Sequence, residues 1–289
     1  MWNSIGKAIE QALSTSFSIE ETTPITGGDI NQCFLVSGQK QRYFVKINDK
    51  SVLEHFEAEA YSLNKIRESE CIACPEVITT GIAFDRAFLV LNVIDFHQPS
   101  NKVWRLFGKQ LAEMHKHTTH GQFGWQQDNV IGSTLQTNRW SSNWRQFFAE
   151  QRIGWQLQLL TEKSIVLGDI DFITDTCHQI LLNHQVKPCL LHGDLWRGNV
   201  GFSHQQPVIF DPASYYGDRE ADIAMTELFG AFPEAFYQSY HEYYPLPPAY
   251  DVRKHVYNLY HVLNHANLFG GVYIDQSKAC IHRILSFDQ

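Results

Sequence analysis

Apolar residues first recur at helical spacing. Trp2, Ile5, Ile9 and Leu13 share one stripe, which predicts a short amphipathic helix over Trp2 to Leu13. The period then changes. Phe17 to Thr26 reads as extended chain ending in Gly27-Gly28, and Cys33 to Val36 resumes an apolar run. Tyr43-Phe44-Val45-Lys46-Ile47 is a compact β-rich run with one charge inside it. Ser51 suits a helix N-cap, and Leu53, Phe56, Ala60, Leu63 and Ile66 continue with helical spacing. Pro75 opens another extended region, Glu76 to Ala83. Asp85-Arg86 makes a turn, and Ala87 to Ile94 is a nearly continuous apolar strand. This order suits a small antiparallel sheet with a helix packed on it.

After Val103 helical patterns dominate, through Trp104–His117, Trp144–Leu160 and Ile165–Asn183, with an aromatic loop from Phe123 to Trp140. Cys189-Leu190-Leu191 and Val208-Ile209-Phe210 are short β runs flanking a polar loop. From Glu220 to Leu285 the chain reads as mostly helical, interrupted near Pro245, Pro247 and Pro248. The expected class is α+β in two lobes, residues 1–92 forming a small antiparallel β lobe and residues 93–289 a larger helical one. No internal repeat or low-complexity tract is visible.

Composition narrows the partners. The chain has 289 residues and a net charge of −8, with no Lys/Arg-rich run, so nucleic acid is not an expected partner. Met1 to Ser16 lacks the apolar core of a signal peptide, and no stretch approaches the ~20 apolar residues of a membrane span. The expected location is the cytoplasm. Cys71-Ile-Ala-Cys74 lacks a second pair for zinc and reads as two small buried residues. His115, His117 and His120 read as a solvated helix end, and His261 and His265 as ordinary helix residues.

The strongest chemical signal is His192-Gly193-Asp194-Leu195-Trp196-Arg197-Gly198-Asn199, followed by Phe210-Asp211-Pro212. Phosphoryl transfer needs an aligned hydroxyl, a base and metal ions on the phosphates. Asp194 follows a short strand, where a loop can aim its carboxylate at a hydroxyl. Asn199 and Asp211 offer hard oxygen ligands for Mg²⁺. The Asp-to-Asn spacing equals that of the protein-kinase HRDxxxxN loop, with Asp-Pro-Ala where those enzymes carry Asp-Phe-Gly. Lys46, alone in an apolar strand, needs an acidic partner if buried. Glu59 lies on the packed side of the next helix and is the best placed. Gly27-Gly28 either lets backbone N–H groups approach phosphates or is a plain hairpin turn. Leu91, Asn92 and Val93 stand where a connector between lobes would face an adenine ring, which is equally compatible with a buried strand.

Together these elements resemble the protein-kinase-like superfamily on its aminoglycoside/choline-kinase side, and most closely the fructosamine/ketosamine kinases. The resemblance rests on His192 to Asn199, Gly27 to Asn31, Phe44-Val45-Lys46, Phe56 to Ala60, Phe123-Gly124-Trp125, Gly132, Gln136, Asn138, Trp144, Phe147, Phe148, Arg152, Asp211-Pro212-Ala213 and Tyr216 to Met225. It implies ATP- and Mg²⁺-dependent phosphorylation of the sugar 3-hydroxyl of fructosamines or ribulosamines, giving an unstable product and so beginning deglycation. Asp194 would be the base, Asn199 and Asp211 the metal ligands, and Lys46 with Glu59 the phosphate-positioning pair. Trp196 and His192 would line the substrate side, although Trp196 could equally pack beneath its loop. The acceptor would be a small ketoamine or glycated lysine on a protein, and a monomer is slightly favoured. Another small-molecule kinase, acting on an amino sugar, a choline-like amine or homoserine, is the alternative enzyme. A catalytically dead nucleotide-binding module is the alternative of another class.

Overall fold

The computed structural model describes residues 1–26 and 30–287. Helix α1 (Trp2–Leu13) precedes strands β1 (Glu21–Ile25), β2 (Gln32–Gly38) and β3 (Gln41–Asp49). Helix α2 (Leu53–Glu68) follows, then β4 (Val77–Ala83) and β5 (Arg86–Asn92). The strands form one antiparallel sheet in the order β1-β2-β3-β5-β4. Consecutive strand side chains point to opposite faces. Val36, Val45, Ile47, Phe88 and Val90 therefore pack with Ile5 and Ile9 of α1. Ala87, Leu89 and Leu91 pack with Phe56, Ala60 and Leu63 of α2. With both faces covered, β5 is apolar at successive positions instead of alternating. The same parity turns Lys46, between Val45 and Ile47, toward α2.

Ser51 is not the cap expected of it. It lies in a 3₁₀ turn, Lys50–Val52, whose cap is Asp49: the carboxylate accepts from the Ser51 N–H at 2.9 Å, and α2 begins only at Leu53. The β5 strand ends at Asn92, two residues before the expected Ile94, and residues 93–100 run without regular structure into the second region.

That region contains α3 (Asn101–His117), a hairpin of β6 (Asn129–Ile131) and β7 (Thr134–Gln136), α4 (Trp144–Phe148), α5 (Trp155–Glu162) and α6 (Ile170–Ile180). Then come β8 (Cys189–Leu190), β9 (Val200–Ser203), β10 (Gln206–Ile209), β11 (Tyr216–Gly217), α7 (Arg219–Leu228), α8 (Glu234–Tyr243), α9 (Tyr250–Phe269) and α10 (Val272–Leu285). The single helix expected over Trp144–Leu160 is interrupted by a π-helical stretch, Ala149–Gly154, which carries the buried Arg152. The expected aromatic loop holds the β6–β7 hairpin, and α6 starts at Ile170, five residues after the expected Ile165. Helices α3 and α8 approach closely at Gly108, where a Cβ would lie 2.2 Å from the Phe236 carbonyl oxygen. Cys71 and Cys74 are partly buried free thiols directed at the Ser69 and Leu63 carbonyls. No described helix is long and apolar enough to cross a membrane.

Candidate active site

The loop after β8 is built around Asp194. Gly193 has φ +84°, and a Cβ there would sit 2.0 Å from the Ala213 carbonyl oxygen, so the tight approach of this loop to the 211–214 segment requires glycine. A 3₁₀ turn, Arg197–Asn199, then folds Asn199 back. Its Nδ2 donates to the Asp194 carbonyl at 2.9 Å and to Asp194 Oδ2 at 3.1 Å. The Asn199 Oδ1 is thereby left as the arm able to meet a cation. Burial pushes the Asp194 carboxyl up to about 7, with the negative charge of Asp211 adding to it and the Asn199 hydrogen bond opposing. A carboxylate near 7 suits general-base work at neutral pH.

Lys46 joins the two regions. Its Nζ pairs with Glu59 of α2 at 2.7 Å and, across the junction, with Asp211. Burial alone would push this ammonium toward neutrality, but the two carboxylates hold its proton more firmly than water does. Asp211 has φ +55°, the left-handed region uncommon for residues other than glycine. Its side chain is 47% exposed. Asp211 and the amide oxygen of Asn199 are donors of the hard oxygen type that Mg²⁺ takes.

The other expected site residues fall differently. The His192 ring is wholly buried: its Nε2 donates to the Phe210 carbonyl at 2.9 Å, and its Nδ1 accepts from the Asp194 N–H at 3.2 Å. Burial lowers its basicity. Expected on the substrate side, His192 is instead a clamp joining the Asp194 loop to the segment after β10 that carries Asp211. Trp196 is 37% exposed and lies over Gly198, where a Cβ would meet the indole at 2.3 Å. Its ring stands edge-on to Phe229 at 6.4 Å. Leu91 points into the core against α2, the Asn92 N–H is engaged by the Glu76 carbonyl at 3.0 Å, and Val93 begins the connector. Gly27 and Gly28 lie outside the described residues.

Several residues had no expected role. Asp222, in the first turns of α7, accepts the backbone N–H of His192 at 2.8 Å on Oδ2 and that of Gly193 at 2.9 Å on Oδ1. It also meets His115 Nε2 at 3.2 Å, while His115 Nδ1 meets the Tyr240 hydroxyl at 2.9 Å. Burial works against the Asp222 charge, but these donors hold its carboxyl below the usual range. His115 is therefore a buried support rather than part of a solvated helix end. The sequence signal was an acid flanked by Ala221, Ile223 and Ala224 in an otherwise apolar turn. A second support comes from the β6–β7 hairpin. Gln136 donates to the Ala213 carbonyl at 3.0 Å and Asn129 to that of Ser214 at 2.9 Å. Arg152 donates to Asn138 at 2.7 Å and lies 4.2 Å over the Tyr215 ring. His261, on α9, sits beside Asp194 with Nδ1 3.8 Å from Oδ1.

Comparison with known proteins finds relatives along nearly the whole chain. The model of the fructosamine kinase family matches residues 1–287. A protein of Vibrio parahaemolyticus (strain RIMD 2210633) named as a probable ketoamine kinase is 49% identical over 290 residues, covering 99% of this chain and 100% of the relative. An Escherichia coli K12 protein of the same description is 37% identical over 286 residues, covering 99% and 100%. The crystal structure of a Haemophilus somnus 129PT protein named as a candidate fructosamine-3-kinase superposes with a TM-score of 0.95 at 34% identity, covering 99% of this chain and 98% of that one. An aminoglycoside phosphotransferase, solved with ADP and hygromycin B, shares the fold at 15% identity with a TM-score of 0.60, over 98% of each chain. The fold is protein-kinase-like: an α+β molecule of two lobes.

Proposed function

The chain belongs to the fructosamine kinase family, and from that premise we propose that it transfers a phosphoryl group from ATP to the 3-hydroxyl of the sugar in fructosamines or ribulosamines, beginning removal of the sugar from a glycated amine. Membership makes it a phosphotransferase acting on a sugar hydroxyl of a ketoamine. The nucleotide, the hydroxyl and the role in deglycation are the proposal. The observation that carries it is the meeting of Lys46, Glu59 and Asp211 at the lobe junction, within electrostatic reach of a carboxylate whose pKa lies near neutrality.

In this reading Asp194 accepts the proton of the attacking hydroxyl. Lys46, held by Glu59, orients the nucleotide phosphates, and Asp211 with the Asn199 amide oxygen holds Mg²⁺. The bound ion offsets negative charge on the phosphates. Lys46 now neutralises Asp211, so nucleotide binding would require Lys46 to share itself between phosphate and carboxylate. The half-exposed Trp196 offers a flat apolar face suited to one side of a sugar ring. The solved aminoglycoside phosphotransferase of the same fold is a complex with ADP and hygromycin B, which supports nucleotide binding here.

The test is an ATP-consumption assay with Mg²⁺ on a panel of fructosamines, ribulosamines, amino sugars, choline-like amines and homoserine, with the position of the phosphate read by NMR. Turnover confined to ketoamines, with phosphate on the 3-oxygen, is expected. Turnover only of the other acceptors, or phosphate elsewhere on the sugar, would reject the proposal.

A further inference from the structure

His261 is 4% exposed, and its Nδ1 is buried without a hydrogen-bond partner among the described residues. An unpartnered buried polar atom is costly, so its direction is informative. It faces Asp194 Oδ1 at 3.8 Å, too far for a hydrogen bond. The second carboxylate oxygen, Oδ2, is already held by Asn199 from the 3₁₀ turn at 3.1 Å. The Asp194 carboxylate thus has a nitrogen facing each oxygen, one from its own loop and one from α9.

A carboxylate rotates easily about its last side-chain bond, a torsion with broad minima. One donor leaves that rotation partly free, whereas donors on both oxygens stop it. Catalytic hydrogen bonds that are long in the free enzyme commonly tighten in the working complex. We propose that His261 is a positioning residue for Asp194, closing an Nδ1–H···Oδ1 bond when the acceptor binds and so fixing the plane of the base against the incoming hydroxyl. The oxygen lone pairs not used by the two donors remain for the hydroxyl proton.

The surroundings of the ring fit this role. Burial, with help from His265 and Arg152 and opposition from Asp222, lowers its basicity to about 3. The imidazole therefore stays neutral and carries one proton, which can sit on Nδ1. Its place in the helix is braced: His265 Nδ1 donates to the His261 carbonyl at 2.8 Å, and the Tyr260 ring lies 5.1 Å away.

The inference rests on Asp194 being the base, and the experiment separates the two. Purified full-length wild type, Asp194→Asn, His261→Leu and His261→Asn are compared with ATP, Mg²⁺ and either fructosyl-lysine or ribulosyl-lysine, whichever turns over faster. His261→Leu keeps the bulk but removes the donor; His261→Asn returns an N–H near the position of Nδ1. The expected result is a fall in kcat of about 10- to 100-fold for His261→Leu, an unchanged KM for ATP, and recovery of most of kcat in His261→Asn. A wild-type kcat in His261→Leu, or equal losses in the leucine and asparagine variants, would overturn the positioning role even with Asp194→Asn inactive. Wild-type turnover in Asp194→Asn would overturn the base assignment, and this inference with it. If His261→Leu does not fold, His261→Ala takes its place against the asparagine variant.

Discussion

Two groups of buried acids stand in the larger lobe, and they are treated in opposite ways. Around Asp218 every oxygen is engaged. His184 meets Asp218 Oδ2 at 2.6 Å, the Tyr257 hydroxyl donates to the same oxygen, and Arg253 grips Glu220 at 2.8 and 2.6 Å. His184, Asp218 and Glu220 are close enough together to suggest a metal site, but the Arg253 guanidinium already supplies the cation. Burial works against the Asp218 charge, yet His184 and Tyr257 hold its carboxyl below the usual range. Asp194 is also largely enclosed, but among the described residues has one firm donor, the Asn199 amide, and a like charge nearby; its carboxyl is pushed up to about 7. Burial alone does not separate the two. Between Asp218 and Asp194 the number of donors does, although burial still raises the Arg253-bound Glu220: the well-supplied Asp218 carboxylate holds its charge, whereas the under-supplied Asp194 carboxylate retains affinity for a proton and can do chemistry.

The sharpest way to break this contrast is Asp194→Asn. Turnover should fall by roughly 10²–10⁴-fold, the range of general-base contributions, with nucleotide binding largely intact in a titration of ATP. Because the folded pKa lies above the unfolded one, the Asp194 carboxylate contributes least to stability once pH exceeds about 7. The asparagine variant should therefore melt at a higher temperature than wild type at pH 8. An inactive variant that melts lower would place Asp194 with the structural acids.

Arg253→Met tests the other side. It strands Glu220 as a buried unpaired charge and should cost about 3–5 kcal/mol of stability, read as a lower midpoint in urea unfolding. The variant that does fold should retain kcat at low temperature. Asp222→Asn stands between the two groups, since Asp222 holds the backbone of His192 and Gly193. A fall in kcat of about 10- to 100-fold from misplacement of the base, with little change in KM for ATP, is expected in steady-state kinetics.

The smallest effect is the dependence on pH. With Asp194 as the proposed base, its ionised form would be the active one, and kcat/KM in a pH-rate profile should decline as pH falls below about 7. The stabilising contribution of Asp218, whose folded pKa is depressed, is present above its unfolded pKa of about 3.9 and lost only as pH falls through and below that value. Activity should therefore disappear well before the fold does. Simultaneous loss would remove the distinction between the groups.

Much of the small lobe could be read from the sequence. The alternation around Lys46 places it on one face of a strand, and the apolar stripe of α2 makes Glu59 the acid on the packed side. Local spacing also puts Asp194, Asn199 and Asp211 on one loop and the end of the next hairpin, because those relations span few residues and depend on periodicity and turn chemistry. The supports of the site were not readable in this way. Asp222, His115 and His261 sit on three helices far apart in sequence, each in a pattern that ordinary helix packing would also produce.

What the sequence by itself determined is the set of reactive groups and the local elements that carry them: an aspartate, an asparagine and a second aspartate at kinase-like spacing, and a lysine inside an apolar strand. Only the tertiary structure decided that Lys46 reaches both Glu59 and Asp211, that His192 turns inward as a clamp, and that His261 faces Asp194. The physical reason is range. Periodicity fixes which way a side chain points within its own element, but a buried polar atom finds its partner across elements, and which partner it finds depends on how those elements pack.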